Sequence, residues 1–265
     1  MTRGITLREW LADRPFTLAM SSGFFSFFAH GGVLTALDEE SLLPDAVSGS
    51  SAGALTGGLW AAGLDPGEIR GLYLSIRKRD FWDPAPGPGL LRGRLFRRLI
   101  RGVVPVQTIE CCRKPLAVST FDVTRLRTRV LCSGDLARAL YASCAVPLMF
   151  RPLWHLGGLL VDGGLRDRPG LRGVPDGQRV FYHHIMTGNS RSDRRDGIPH
   201  ASGRADLVAL AIPRLPRPGP NALELGAAAW SAAREATLRA LDRVVGPAGA
   251  GTPAVVCGAV AGSRR

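Results

Sequence analysis

Short apolar runs alternate with longer amphipathic runs along most of the chain. The short runs have the length and composition of buried strands: FTLAM (16–20), AVSG (46–49), PLAVST (115–120), RVLCS (129–133), RVFYHHI (179–185) and LVALAI (207–212). The longer runs predict helices at 30–43, 52–63, 90–104 and 221–245. Because strands that alternate with helices form parallel sheets, the pattern predicts an α/β fold with a mostly parallel central sheet.

A further helix is predicted to begin at Pro66. Asp65 is suited to cap its first turn, proline is favoured at the first helical position, and Glu68 completes the capping pattern. The polar run 187–204 predicts a mobile surface loop.

The stretch from Pro15 to Leu37 contains no charged side chain other than histidine. A membrane-spanning helix needs about 20 predominantly apolar residues. Polar residues and glycines interrupt this stretch at Ser21, Ser22, Gly23, Ser26, His30, Gly31 and Gly32. We therefore interpret it as a buried strand, a tight loop and a buried helix.

The composition is that of a globular protein with a strongly basic surface. Hydrophobic residues make up 45% of the 265 residues, which is enough for a sizeable core. The formal net charge is +12, and Lys78 and Lys114 are the only lysines. This arginine-rich balance suits an anionic partner such as a membrane surface, but a solvated arginine-biased surface explains it equally well.

Cysteine usage favours a reducing compartment. The five cysteines form no CxxC spacing, so neither a disulfide framework nor a zinc site is indicated. Acidic residues are scattered without a ligand cluster, and no metal or cofactor is expected. We expect a cytoplasmic protein.

The segment GSSAG, with Ser51 at its centre, follows a predicted strand and precedes a predicted helix. This context is typical of a nucleophile elbow, in which a sharp turn raises a serine for attack. Side chains at Gly49 or Gly53 would collide with the neighbouring strand and helix. The amide of Ala52, at the start of a helix, can donate to a developing oxyanion.

Such a serine needs a base, and the residues leave two candidates open. One is a histidine, with His183 and His184 as the favoured positions. The other is Asp162, which ends an apolar run in LLVDGGLRD. A carboxylate bonded to Ser51 can accept its proton if the site excludes enough water to raise its basicity.

Three blocks of the chain are similar to segments of the patatin-like phospholipases. They are SGFFSFFAHGGVLTAL, GSSAGAL and ALYASCAVPLMFRPLWHLGGLLVDGGLRDRPG. The resemblance covers residues 15–243. It implies a three-layer α/β/α patatin-like domain, with an N-terminal extension at 1–14 and a C-terminal tail at 244–265 that could add one strand.

The resemblance also implies a reaction. Ser51 would be the nucleophile and Asp162 its general base, and lipid acyl esters would be hydrolysed through an acyl-enzyme without a histidine. Oxyanion donors would come from Gly23, Phe24 and Ala52. The motif glycines would be Gly49, Gly53, Gly163 and Gly164. The partner is then a lipid or acyl ester, and no nucleic acid is expected.

The glycine-rich loop of the family is altered in this chain. The matching positions read SGFFSF (22–27), with one glycine and no basic residue. Bulky residues resist backbone angles that glycine adopts freely, so we expect Phe24 to disturb the oxyanion donors. The phenylalanines at 24, 25, 27 and 28 either line an acyl-binding mouth or belong to the core.

Two other functions therefore stay open beside the leading one. The chain could be a weakly active or non-catalytic lipid-binding protein on the same fold. It could also be an α/β-hydrolase esterase with a Ser-Asp-His triad. Separately, arginines follow one face of the predicted helix at 90–102, which fits peripheral contact with an anionic membrane as well as an ordinary solvated face.

Overall fold

A nine-stranded sheet forms the centre of the protein, in a computed structural model that describes residues 4–186, 204, 206–245 and 254–257. From one edge to the other its strands are β13 (Ala254–Cys257), β11 (Leu207–Ala211), β10 (Val180–His184), β2 (Thr17–Met20), β3 (Ala46–Ser50), β5 (Leu116–Asp122), β9 (Gly158–Asp162) and β8 (Leu153–His155), with β6 (Arg127–Leu131) also paired to β5. The six strands from β13 to β5 run parallel. The remaining pairings are antiparallel.

Seven α-helices and two small sheets accompany the central sheet in the described part of the chain. The helices are α1 (Leu7–Asp13), α2 (Phe27–Glu39), α3 (Ala52–Ala62), α4 (Pro66–Ser75), α5 (Arg94–Val103), α6 (Leu136–Ser143) and α7 (Leu225–Leu241). The small sheets pair β1 (Ile5–Thr6) with β12 (Val244–Val245), and β4 (Gly89–Leu91) with β7 (Leu148–Phe150). The predicted α/β fold with a mostly parallel central sheet is confirmed.

Both faces of the sheet are buried, as the continuous apolar runs predict. Along β2, Leu18 and Met20 join a large core cluster that also contains side chains of all seven helices. Ala19 points to the opposite face and joins a smaller cluster with Tyr182 and Leu171. The parallel strands are therefore buried on both sides. The turn that contains Ser51 follows the carboxyl end of one of them, β3.

The arginine-rich helix is shorter than its sequence pattern predicts. It begins at Arg94, because the preceding residues of β4 pair with β7 instead. The Asp83 carboxylate then accepts hydrogen bonds from the backbone amides of Gly93, Arg94 and Leu95, at 2.9, 2.8 and 3.1 Å. A carboxylate at this position stabilises the start of a helix.

Other boundaries move by a few residues. The helix predicted at 30–43 spans Phe27–Glu39, and the one predicted at 221–245 ends at Leu241 because the next residues pair with β1. The polar run 187–204, predicted as a mobile loop, lies outside the described residues except for Arg204 at its end. Within the described chain, every helix is too short or too polar to cross a bilayer.

The predicted start of α4 is confirmed in detail. The Asp65 carboxylate accepts from the Glu68 amide at 2.7 Å, and the Glu68 carboxylate accepts from the Asp65 amide at 2.8 Å. Replacement of Asp65 by Ala removes one of these acceptors, so we expect a loss of about 1 kcal/mol in the free energy of unfolding, measured by urea denaturation. Asp65→Asn keeps an acceptor and serves as the control. Equal stability of the Ala and Asn variants would contradict the capping role.

Candidate active site

Ser51 occupies a sharp turn between β3 and α3, with φ 52° and ψ −118°. The turn is possible because neighbouring backbones approach closely. A Cβ atom on Gly49 would lie 2.5 Å from the Ala54 nitrogen, and one on Gly53 would lie 2.2 Å from the Met20 carbonyl oxygen. Both positions therefore require glycine, as the motif predicts.

The strained backbone of Ser51 is held by its neighbours. A non-glycine residue with positive φ costs on the order of 1–3 kcal/mol. The Ser51 amide donates to the Ser143 hydroxyl at 2.8 Å, and that hydroxyl donates to the Ser119 carbonyl at 2.6 Å. The Leu55 amide donates to the Ser51 carbonyl at 2.9 Å. The turn is thus tied to β5, to α6 and to the first turn of α3.

Asp162 is the last residue of β9, and its side chain contacts the side chain of Ser51. The Ser51 hydroxyl donates to Asp162 Oδ2 at 2.6 Å, and the Gly164 amide donates to Oδ1 at 2.7 Å. Burial raises the pKa of Asp162 from 3.8 to about 6, although both hydrogen bonds act in the opposite direction. Asp162 is therefore mostly ionised at pH 7 and more basic than an ordinary aspartate. Such a group can take the proton of a serine hydroxyl.

The described histidines are engaged elsewhere. His30 and His183 contact each other with 2.8 Å between their Nδ1 atoms, His184 Nδ1 lies 2.9 Å from the Tyr182 hydroxyl, and His155 Nδ1 accepts from Arg138 at 3.2 Å. None of these four hydrogen-bonds to the Ser51 or Asp162 side chain. The geometry therefore does not support the Ser-Asp-His alternative within the described residues.

Three backbone amides are available near Ser51. Ala52 is the first residue of α3, so its N–H has no acceptor within the helix. In the described structure, the amides of Gly23 and Phe24 form no hydrogen bond. All three residues line the same cavity as Ser51. That they stabilise a developing negative charge stays a prediction.

The strain in loop 21–26 lies one residue later than predicted. Phe25, rather than Phe24, has a positive φ of 55°. Its ring packs against Phe24, Phe27 and Phe81, with centroids 4.8, 5.5 and 5.8 Å apart. Phe24 itself lies outside the positive-φ region, and the expectation that it disturbs the oxyanion donors stays a prediction. Aromatic packing therefore surrounds Phe25 in this strained conformation.

Ser51 and Asp162 open onto an apolar cavity of about 400 Å³. Its apolar lining comprises Phe24, Phe25, Phe27, Leu55, Ile76, Phe81, Phe96, Leu99, Val146, Pro147, Phe150 and Leu165. Phe24 and Leu165 are 54% and 52% exposed. Phe24, Phe25 and Phe27 thus line the cavity, while Phe28 belongs to the core.

Comparison with known families identifies the family of this chain. A model described as patatin-like phospholipase matches residues 18–174, which is more than half of the chain. The chain belongs to the patatin-like phospholipases. The match includes loop 21–26, the Ser51 turn and Asp162.

Curated relatives of this patatin-like chain are considerably longer. It is 34% identical over 155 residues to an uncharacterised NTE family protein of Mycobacterium tuberculosis, covering 57% of the chain and 42% of the relative. It is 30% identical over 168 residues to lysophospholipase nte1 of Emericella nidulans, covering 61% of the chain and 11% of the relative. The chain therefore spans less than half the length of these relatives.

Solved structures share the patatin-like fold at low sequence identity. VipD from Legionella pneumophila matches with a TM-score of 0.60 and 14% identity, over 86% of this chain and 67% of VipD. ExoU in the ExoU–SpcU complex from Pseudomonas aeruginosa matches with a TM-score of 0.52 and 17% identity, over 86% of this chain and 52% of that chain.

The remaining predicted glycines lie close to the two central side chains. A Cβ on Gly163 would lie 2.3 Å from the Ser119 carbonyl oxygen, and one on Gly164 would lie 2.5 Å from the Ser22 hydroxyl. Sequence reasoning missed Ser143 and the cavity walls formed by Phe96 and Leu99. Ser143 stands within a block similar to the family's, but only the structure shows that its hydroxyl holds the turn.

The site generates a pH prediction. Ionised Asp162 accepts the Ser51 proton and protonated Asp162 cannot, so Ser51 reactivity should rise as pH increases through about 6. The rate of labelling by a fluorophosphonate probe, measured across a pH series, should show this midpoint. In Asp162→Asn the midpoint should disappear. An unchanged midpoint in that variant would assign the titration to another group.

Proposed function

We propose that this protein is a serine acyl-ester hydrolase that acts on lipids through a Ser51–Asp162 dyad. The single observation that carries the proposal is the 2.6 Å hydrogen bond from the Ser51 hydroxyl to a buried carboxylate beside an apolar cavity. The raised pKa of that carboxylate supports the role of general base.

The reaction follows from this geometry. Ser51 Oγ attacks the ester carbonyl while its proton passes to Asp162 Oδ2, and the carbonyl oxygen becomes an oxyanion. The amides of Ala52, Gly23 and Phe24 stabilise this charge. The intermediate collapses, the C–O bond to the alcohol breaks, and Asp162 returns the proton to the leaving alcohol. Water, activated by the same carboxylate, then hydrolyses the acyl-enzyme.

The cavity favours a lipid acyl chain as the group that is transferred. Its lining is almost entirely apolar, and two half-exposed apolar side chains stand at its rim. The family model and the name of the Emericella nidulans relative both point to phospholipid or lysophospholipid esters.

A non-catalytic or weakly active lipid-binding protein is the second candidate function. The observation that favours it is the left-handed backbone of Phe25 in a loop with a single glycine. Labelling of Ser51 by a fluorophosphonate, together with turnover of a short nitrophenyl ester, distinguishes the two candidates.

Two substitutions test the dyad. Ser51→Ala should abolish ester hydrolysis, because the nucleophile is lost. Asp162→Asn should lower kcat at least about a thousandfold, because the amide cannot accept the serine proton. Hydrolysis of a nitrophenyl ester and of a lysophospholipid provides the measurement.

Thermal unfolding supplies the control for folding. Because the pKa of Asp162 is raised in the folded state, its ionised form destabilises the protein at pH 7, and this cost diminishes as pH falls through about 6. Asp162→Asn should therefore keep or raise Tm. Wild-type turnover in Ser51→Ala, or a drop of only a few fold in folded Asp162→Asn, would contradict the dyad.

We further propose that α5 brings the cavity to an anionic membrane. Arg94, Arg98 and Arg101 are exposed on this helix, whereas Phe96 and Leu99 of the same helix line the cavity. One helix therefore connects a basic surface with the wall of the acyl site.

The arginines form a cleft of about 290 Å³ with Arg138 of α6. Arg101 pairs with Asp135 at 2.7 Å, but Arg94 and Arg98 form no ion pair with the residues that the structure describes. Arg97 lies over the Tyr141 ring, 5.3 Å from its centroid. Guanidinium groups suit phosphate oxygens in number and geometry, so this cleft favours phospholipid headgroups.

Replacement of Arg94 and Arg98 together by Gln should weaken binding to vesicles containing phosphatidylglycerol. Each arginine near a membrane surface contributes about 1 kcal/mol, so the pair is expected to account for a roughly thirtyfold change in affinity at low salt. Vesicle co-sedimentation measures it, and hydrolysis of a soluble ester should be unchanged.

The matched control replaces Arg70 and Arg127, which are exposed and lie outside the cleft. This variant has the same net charge as the Arg94/Arg98 variant. Equal losses in both variants, or no loss in either, would overturn the membrane role of α5.

A further inference from the structure

Two buried histidines connect the base of loop 21–26 to the central sheet. His30 on α2 and His183 on β10 are both fully buried. Their Nδ1 atoms lie 2.8 Å apart, and His30 Nε2 lies 2.8 Å from the carbonyl oxygen of Ser21. Neither ring lines the cavity or contacts Ser51. The pair therefore contacts the loop through Ser21 and does not contact Ser51.

The positions of the ring hydrogens on His30 and His183 follow from the atoms that each ring nitrogen contacts. A carbonyl oxygen only accepts, so His30 Nε2 carries the hydrogen and donates to Ser21. Burial lowers the pKa of His30 to about 4 and that of His183 well below its ordinary value, so both rings are neutral. Neutral His30 then has a lone pair at Nδ1, and His183 Nδ1–H must be the donor. Hydrogen bonds thus run in one direction, from His183 to His30 to Ser21.

The hydrogen bonds of this histidine pair help to fix the peptide between Ser21 and Ser22, next to the proposed oxyanion donors. The carbonyl of Ser21 accepts from His30, while the amide of Ser22, in the same peptide, donates to the Arg168 carbonyl at 2.8 Å. The Ser21 amide donates to the His183 carbonyl at 3.2 Å, and the Ser21 hydroxyl accepts from the Ile185 amide at 2.9 Å. The loop is therefore held on both sides immediately before Gly23.

The next residues need such an anchor. Gly23 and Phe24 have amides without acceptors in the described structure, and Phe25 has a strained positive φ. Strained backbone persists only where its surroundings determine it. Oxyanion donors are effective only when they are held close to the position where charge develops.

We propose that His30 and His183 are a positioning pair that orients loop 21–26 and, through it, the amides of Gly23 and Phe24. Both histidines act through Ser21. The kinetic consequence rests on the proposed function, whereas the effect on loop order does not.

The direction of the hydrogen bonds gives opposite requirements at the two positions. A glutamine amide nitrogen can occupy the place of His Nε2, and an asparagine amide nitrogen that of His Nδ1. His30 donates from Nε2, so His30→Gln should preserve function and His30→Asn should not. His183 donates from Nδ1, so His183→Asn should preserve function and His183→Gln should not.

Two measurements on the full chain test these opposite preferences for Gln at position 30 and Asn at position 183. For a short nitrophenyl ester, His30→Asn and His183→Gln should lower kcat about tenfold to a hundredfold, with little change in KM. The upper end of this range corresponds to the loss of one oxyanion donor. Hydrogen–deuterium exchange of the peptide that contains loop 21–26 should increase in the same two variants. Thermal unfolding identifies any variant that has not folded.

The outcomes separate the two proposals. If the wild-type protein shows no turnover, the proposed function fails, and the exchange measurement still decides the role of the pair. If one histidine position does not tolerate substitution, the Asn–Gln comparison at the other position decides. Equal kcat and equal exchange in the Asn and Gln variants of a folded protein would overturn the positioning role.

Discussion

The left-handed backbone of Ser51 is the constraint on which the rest of the site depends. A serine with φ 52° at a strand–helix junction requires close approach of β3, α3 and β2, and the two motif glycines provide the space. The Ser143 hydroxyl then binds the serine amide and transfers the restraint to β5. Because the core is close-packed, the cost of this turn is offset by the surrounding sheet and helices.

The same core determines the electrostatics of the site. Asp162 ends a strand at the sheet edge, where burial raises its pKa to about 6 and a single serine hydroxyl and one amide satisfy its oxygens. The burial that makes the carboxylate basic also destabilises its ionised form. Stability is thus given up at the position where the proposed reaction needs a base, which is a common relation between stability and activity.

Loop 21–26 shows how aromatic packing can hold a strained backbone conformation. Glycine would adopt the backbone angles of Phe25 without strain, whereas phenylalanine needs compensation on the order of 1–3 kcal/mol. Three aromatic neighbours surround its ring, and each such pair contributes about 0.5–1.5 kcal/mol. The same rings form the cavity wall, so packing that holds the loop also shapes the proposed acyl site.

Local chemistry determined much of this protein from its sequence alone. Apolar runs identified the strands, Asp65 and Glu68 marked a helix start, and the spacing of glycines around Ser51 indicated the turn, because each of these depends on residues within a few positions. Contacts between distant segments were decided only by the tertiary structure. Examples are the hydrogen bond of Ser143 to Ser51, the start of α5 at Arg94 through strand pairing, and the bond between His30 and His183. The physical reason is that such contacts depend on which strands and helices pack together, and no local pattern encodes that choice.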